Sequence, residues 1–175
     1  MLVALKSLLS EHVNVVVALE KSCRLEVWRA EDYVNMLLGD PHFHGLVATV
    51  DRQSAHEEME DRSEHVVDQI ACQATDRIIA FIAGRILPGD AEIYKLAVQA
   101  SYQRQGIGSR LIDRFLAMAR DRRATNCYLE VRPSNKGAIA FYRRHGFIEH
   151  GTRARYYKEP PEDALIMLRQ GEIGR

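Results

Sequence analysis

The chain has 175 residues, 46% of them hydrophobic, with 24 basic and 24 acidic side chains and a formal net charge of zero. That length reads as one domain, since domains run to roughly 100–200 residues, with apolar content enough for a core. A zero balance argues against nucleic acid as the main partner, which calls for a basic excess or stripe.

Cys23, Cys72 and Cys127 form no C-x-x-C pair. Neither a zinc clamp nor a disulfide framework is expected, and a reducing, cytoplasmic setting fits. The opening stretch MLVALKSLLSEHVNVVVALEK is broken by Lys6, Ser10, Glu11, His12 and Asn14. It lacks the basic start and small-residue cleavage site of a signal peptide. No apolar run approaches the ~18 residues of a membrane span, so no membrane partner is expected.

In chain order, Leu2–Lys6 alternates as a short strand. Ser10 is placed to cap a helix over Glu11–Lys21, and a second helix covers Ala30–Leu38, stopped by Gly39-Asp40-Pro41. The polar stretch DRQSAHEEMEDRSE reads as a solvated loop. QIACQATDRIIAFIAGRIL then reads as two strands about a turn at Thr75-Asp76-Arg77, and AEIYKLAV follows as a strand after a turn at Pro88-Gly89-Asp90. Beyond Gly106-Ile107-Gly108, Ile107, Leu111, Phe115 and Met118 share one helical face, flanked by Ile112, Leu116 and Ala119. CYLEVR is the next strand. Asn135 caps a helix that ends at Gly146, and GFIEHGTRARYY and DALIMLRQ finish as strands. The order β-α-α-β-β-β-α-β-α-β-β mixes hairpins with crossovers, so the expected class is α/β (α+β) with a mixed central sheet.

A strand, a glycine-bearing loop and a helix make an arrangement that can hold an anion. The first N–H groups of a helix have no internal partners and carry about +0.5 charge, and glycine lets a ligand approach the backbone. An ordinary strand–helix turn looks the same. The loop is neither a dinucleotide fingerprint, because Leu111 stands where the third glycine would fall, nor a P-loop, because no G-K-[ST] follows.

AVQASYQRQGIGSRLIDRFLAMA resembles motif A of the GNAT superfamily of N-acetyltransferases, Q/R-x-x-G-x-G/A, with Gln103, Gly106 and Gly108 at its three positions. LEVRPSNKGAIAFYRRHGF is similar to the second half of the same fold. Together with Tyr156-Tyr157 and Glu162-Asp163-Ala164-Leu165-Ile166-Met167 it resembles the ribosomal-protein-alanine branch of the protein N-terminal acetyltransferases. The likeness is continuous from about residue 93 to 168. It is thinner at the front, where Glu20 and Trp28 match and Cys23 replaces an aromatic. Residues 41 to about 67 have no counterpart there and read as an insertion.

The resemblance implies one acetyltransferase domain over 1–175, its central sheet splayed in the middle and flanked by helices, with the acetyl-CoA motif region at about 93–150. It implies acetyl-CoA as cosubstrate, its diphosphate on the backbone of Gln103, Arg104, Gln105, Gly106, Ile107, Gly108 and Ser109. The pantetheine arm would follow the edge of Leu96, Ala97 and Val98, with Asn135 as a further contact. It implies Glu130 as base and Tyr142 as acid. By residue type alone these would be a solvated strand carboxylate and a half-buried helix tyrosine. Trp28, Tyr156 and Tyr157 fall where the branch shapes its peptide entrance, although core packing explains tyrosines there equally well. The acceptor implied is a peptide or protein N-terminus. An α-amino group, with a pKa of about 7.7–8.0, offers far more neutral amine at pH 7 than a lysine at about 10.4. A small amine or a lysine side chain as acceptor, or a non-catalytic acyl-CoA-binding domain, are the alternatives. His56, His65 and the HFH stretch match no standard metal spacing, so no metal is expected.

Overall fold

The structure, a computed structural model, describes residues 2–23, 25–51 and 76–171. The elements run β1 (Val3–Ser7), α1 (Val13–Ser22), α2 (Ala30–Gly39), β2 (Phe43–Asp51), β3 (Asp76–Ile86), β4 (Gly89–Val98), α3 (Ile107–Asp121), β5 (Ala124–Val131), α4 (Lys136–Arg144), β6 (Ile148–Lys158) and β7 (Pro161–Gln170), with short 3-10 turns at Ser10–His12 and Ala100–Tyr102. The seven strands form one sheet in the order β1-β2-β3-β4-β5-β7-β6. β4 and β5 are parallel, whereas β1–β2, β5–β7 and β6–β7 are antiparallel, so the α/β class and mixed sheet expected from the sequence are present. Among the described residues no helix is long and apolar enough to cross a membrane.

The backbone groups into two compact units, Met1–Ala83 with Lys95–Ile112, and Gly84–Tyr94 with Asp113–Arg175. In the first, β1 pairs with β2 from Val3↔Val50 to Ser7↔Leu46. Val13, Val16 and Leu19 of α1, Val47 and Ala48 of β2, and Ile79, Phe81 and Ile82 of β3 are buried. In the second, Phe115, Leu116 and Ala119 of α3, Cys127 and Leu129 of β5, Phe147, and Met167 and Leu168 of β7 are buried. The apolar face predicted for α3 is the buried one, and Arg110, Asp113, Arg114 and Arg120 on the other side are exposed.

Three expectations change. Ser10 does not cap α1. It opens a 3-10 turn, α1 starts at Val13, and the Leu9 amide donates to His12 Nδ1 at 3.1 Å. Residues 43–51, left without an element in the sequence, are β2, seven of whose nine side chains are buried (Phe43 and Gly45–Val50). Asp76 and Arg77 belong to β3 rather than to a turn. The strand expected just before residue 75, the acidic stretch 52–64, His56, His65 and Cys72 lie outside the described residues.

Candidate active site

The loop between β4 and α3 is bent by two left-handed residues, Arg104 (φ 63°) and Gly106 (φ 80°). Such bends gather backbone N–H groups into anion-binding concavities. A side chain on Gly106 would meet nothing within 4 Å, so the space above this backbone is open. The first i→i−4 bond of α3 is donated by Arg110 to Gly106 O at 3.0 Å, and the amides of the opening turn precede it. These features fit a diphosphate. The Gln103 side chain is occupied otherwise, donating to Val98 O at 2.9 Å and tying the loop to the end of β4. Gln105 donates to Ser101 O, and Ile107 is buried, so both offer a ligand mainly their backbone. The Arg110 guanidinium donates to Val3 O at 2.8 Å. The parallel register of β4 with β5 ends at Ile93↔Leu129, and Leu96–Val98 lie beyond its last pair.

In the same unit, the segment joining α1 to α2 is held from beneath. Glu20 is fully buried at the end of α1. Its Oε2 accepts the Trp28 amide at 3.0 Å and its Oε1 accepts the Tyr33 hydroxyl at 2.9 Å, with Lys95 Nζ 3.5 Å from Oε1. Lys95 also donates to Glu26 O, and its ammonium lies 4.8 Å from the centre of the Trp28 ring. Burial pushes Glu20 up and Lys95 down from their ordinary values, and each one's charge opposes the shift of the other. Trp28 packs on Tyr33 at 5.3 Å.

In the second unit, Glu130 points from β5, and Arg153 Nη1 donates to its Oε1 at 2.9 Å. Tyr156 lies beside the same carboxylate, and the Arg153 guanidinium lies 4.6 Å from the Tyr156 ring centre. Burial, then the neighbouring Glu130 carboxylate, raise the Tyr156 phenol well above its ordinary range. Residues three apart face opposite sides of a regular strand, yet Arg153 and Tyr156 both reach Glu130. A bulge makes this possible. Between Arg153↔Ala164 and Tyr157↔Glu162, β6 spends four residues where β7 spends two. Arg155 within it has φ 51°, and its amide donates to Asp163 Oδ1 at 2.8 Å.

Glu92 joins this group. It pairs across the parallel ladder with Tyr128, on the face that Tyr128 shares with Glu130. Burial, then the charge of Glu130, raise Glu92 above its ordinary 4.5, against a hydrogen bond with Tyr94 and the cations Arg153 and Arg85. β3 and β4 come close here because Gly84 has no side chain: a Cβ would stand 2.1 Å from Glu92 O.

Tyr142 lies on α4, edge-on to Phe141 and Phe147 at 5.4 and 5.9 Å. Burial, then Tyr157 and Cys127, raise its phenol well above 10. Asn135 caps α4, its Oδ1 accepting the Ala138 amide at 3.0 Å. Tyr157 lies under the Arg132 guanidinium at 4.0 Å. Arg132 in turn donates to Glu162 Oε2 at 3.2 Å, and Ser134 donates its amide and hydroxyl to the same carboxylate at 2.7 and 2.9 Å. The L-E-V-R-x-S-N stretch and the E-D-A stretch are thus bonded to each other. Cys127 is buried, its thiol pushed up to about 12 by burial, and is no nucleophile. Among the described residues no group of three or more His, Cys, Asp or Glu is placed to hold a metal ion.

Glu92 and Lys95 are the functional candidates that the sequence did not single out. The alternation of β4 puts Glu92 and Tyr94 on one face and Lys95 on the other. Which neighbours those faces meet is decided by register and by a loop more than 65 residues away.

The Acetyltransferase (GNAT) family matches residues 22–147. The chain is 36% identical over 96 residues to a ribosomal protein bS18-alanine N-acetyltransferase of Salmonella typhimurium, an overlap of 54% of this chain and 65% of that protein. It is 42% identical over 86 residues to the N-alpha-acetyltransferase RimI of Mycobacterium tuberculosis, covering 49% and 52% of the two chains. The matched stretches thus span between half and two thirds of these relatives. The crystal structure of the ribosomal-protein-S18-alanine N-acetyltransferase from Escherichia coli superposes with a TM-score of 0.74 over 99% of this chain and 96% of that one, at 23% identity, which establishes a shared fold. Because the family model matches nearly three quarters of its length, the chain belongs to the GNAT family of acetyltransferases.

Proposed function

We propose that the protein transfers the acetyl group of acetyl-CoA to the N-terminal α-amino group of a protein, in the manner the names of its relatives indicate. The observation that carries this reading is the group around Glu130: a carboxylate oriented by Arg153, with Tyr156 and Glu92 beside it. An amine attacking a thioester must shed a proton as the C–N bond forms, and a positioned carboxylate receives it, directly or through a water. That effect is worth about 10²–10⁴ in rate. An α-amino group is partly neutral at pH 7, so a carboxylate is a sufficient base for it.

The backbone of residues 103–109 is assigned to the diphosphate, with Leu96–Val98 and Asn135 along the rest of the cosubstrate. Trp28, Tyr156 and Tyr157 are assigned to the acceptor. Tyr142 is assigned to the departing sulfur. As the C–S bond breaks, the proton released by the amine ends on the thiolate, and Tyr142 supplies a hydrogen bond to it.

The test is a panel of short peptides with different first residues, set against polyamines and free lysine, with acetyl-CoA as donor. Peptide α-amines should be acetylated, with alanine-initiated peptides among the substrates, and Glu130→Gln should lower kcat by about 10²-fold or more. Acetylation confined to polyamines or lysine side chains would sink the assignment.

A further inference from the structure

The buried Glu20–Lys95 pair lies outside the chemistry assigned to Glu130 and Tyr142, yet both of its members are spent on one short segment. Glu20 takes the backbone amide of Trp28, and the carbonyl of the same residue accepts the Leu25 amide at 2.9 Å. Lys95 donates to the carbonyl of Glu26 and covers the Trp28 ring. Residues 25–29 carry no helix or strand of their own. Their conformation is therefore set from outside, by a carboxylate from α1 and an ammonium from β4 whose side chain is only 9% exposed. A lysine stem with three directed donors can bind a carboxylate, a carbonyl and an aromatic face together. A methionine of similar length has neither the donors nor the charge.

We propose that Lys95 is a positioning residue: together with Glu20 it latches the α1–α2 segment from below and fixes the place of the Trp28 indole. Through Trp28 the latch sets the affinity for the acceptor, a consequence that rests on the assignment of Trp28 to the acceptor side. Lys95 does not take part in proton transfer.

The chain contains one tryptophan, so Trp28 fluorescence reports on this segment alone. The variants are Lys95→Met, which keeps the stem and removes the donors, Lys95→Arg, which restores a cation, and Lys95→Met with Glu20→Gln, which also removes the buried carboxylate's charge and guards against loss of folding. In both Lys95→Met proteins, Trp28 emission should shift and become more accessible to acrylamide. Acceptor KM should rise about tenfold with kcat within about threefold and acetyl-CoA affinity unchanged, the pattern of a lost binding contribution. Lys95→Arg should recover most of the quenching protection. Folded Lys95→Met proteins with unaltered Trp28 emission and quenching would overturn the latch, as would a fall in kcat at constant KM. A change in Trp28 quenching with no change in acceptor KM would uphold the latch and overturn the placement of Trp28 on the acceptor side.

Discussion

A phenol raised well above 10 keeps its proton across the physiological range, and this defines what Tyr142 can contribute. Full transfer of that proton to a thiolate, whose conjugate acid sits near 8.5, runs uphill. A hydrogen bond to the developing charge does not, and it is available at every working pH. Tyr142→Phe should leave acetyl-CoA affinity within about twofold by calorimetry and lower kcat by about 10²-fold, the size of losing one hydrogen-bond donor to developing charge. Unchanged single-turnover rates would remove Tyr142 from the mechanism. At this scale the sequence was informative about Asn135, whose role as a helix cap is a local signal and is seen at α4. It was silent on Lys95, because a lysine in a strand reads as solvated until the carboxylate that buries it is known.

At the level of single elements, β4 carries a carboxylate crowded by another. Glu92 is buried beside the negative Glu130, so its folded-state value lies above its ordinary 4.5. A group raised in this way stabilises the fold below its ordinary value, and that contribution is lost as pH climbs through the folded one. Glu92→Gln removes the charge while keeping the shape. Measured by denaturant midpoint, the variant should gain on the parent protein steadily as pH rises above about 4.5, with the smallest difference in acid. A difference that is flat from pH 4 to 8 would contradict the carboxylate crowding. The helices α3 and α4 were legible because amphipathic spacing and caps are local signals. β2 was not, because its mostly apolar run, Phe43 to Val50, has no alternation, and its role is fixed by pairing with β1, about 40 residues earlier, and with β3. The start of α1 was misplaced for a related reason: Ser10 is a good cap in isolation, but His12 satisfies the Leu9 amide.

For the molecule as a whole, ligand binding and stability are one equilibrium. A cosubstrate at 100 times its Kd adds about 2.7 kcal/mol to a folded state that binds it. For a chain of this size that amounts to a rise in Tm of roughly 5–10 °C. Acetyl-CoA should produce such a rise in the parent protein, followed by scanning calorimetry. In Gly106→Val the rise should disappear. The variant also pays for a non-glycine residue at φ 80°, about 1–2 kcal/mol, so the decisive quantity is the ligand-induced increment rather than the starting Tm. An increment that survives in the variant would place the diphosphate elsewhere. The overall class and the loop–helix junction could be read from the chain because their signals lie within about thirty consecutive residues. The grouping of Glu92, Glu130, Arg153 and Tyr156 could not, since it spans three strands and depends on two surplus residues in one of them.

Those two residues make the spacing of the last hairpin a matter of parity. Side chains along a strand are dealt alternately to its two faces, and the surplus before Tyr157 reshuffles that deal, sending Tyr156 to Glu130 and leaving Tyr157 to Arg132. Shortening the segment by one residue would exchange the destinations of the two tyrosines while every amino acid type stayed in place. Shortening it by two would let the ladder with β7 close without a gap and still strip Glu130 of a partner. Related chains that differ here in length rather than in composition would therefore differ in how the carboxylate is held, and a position-by-position comparison of residue types would not reveal it.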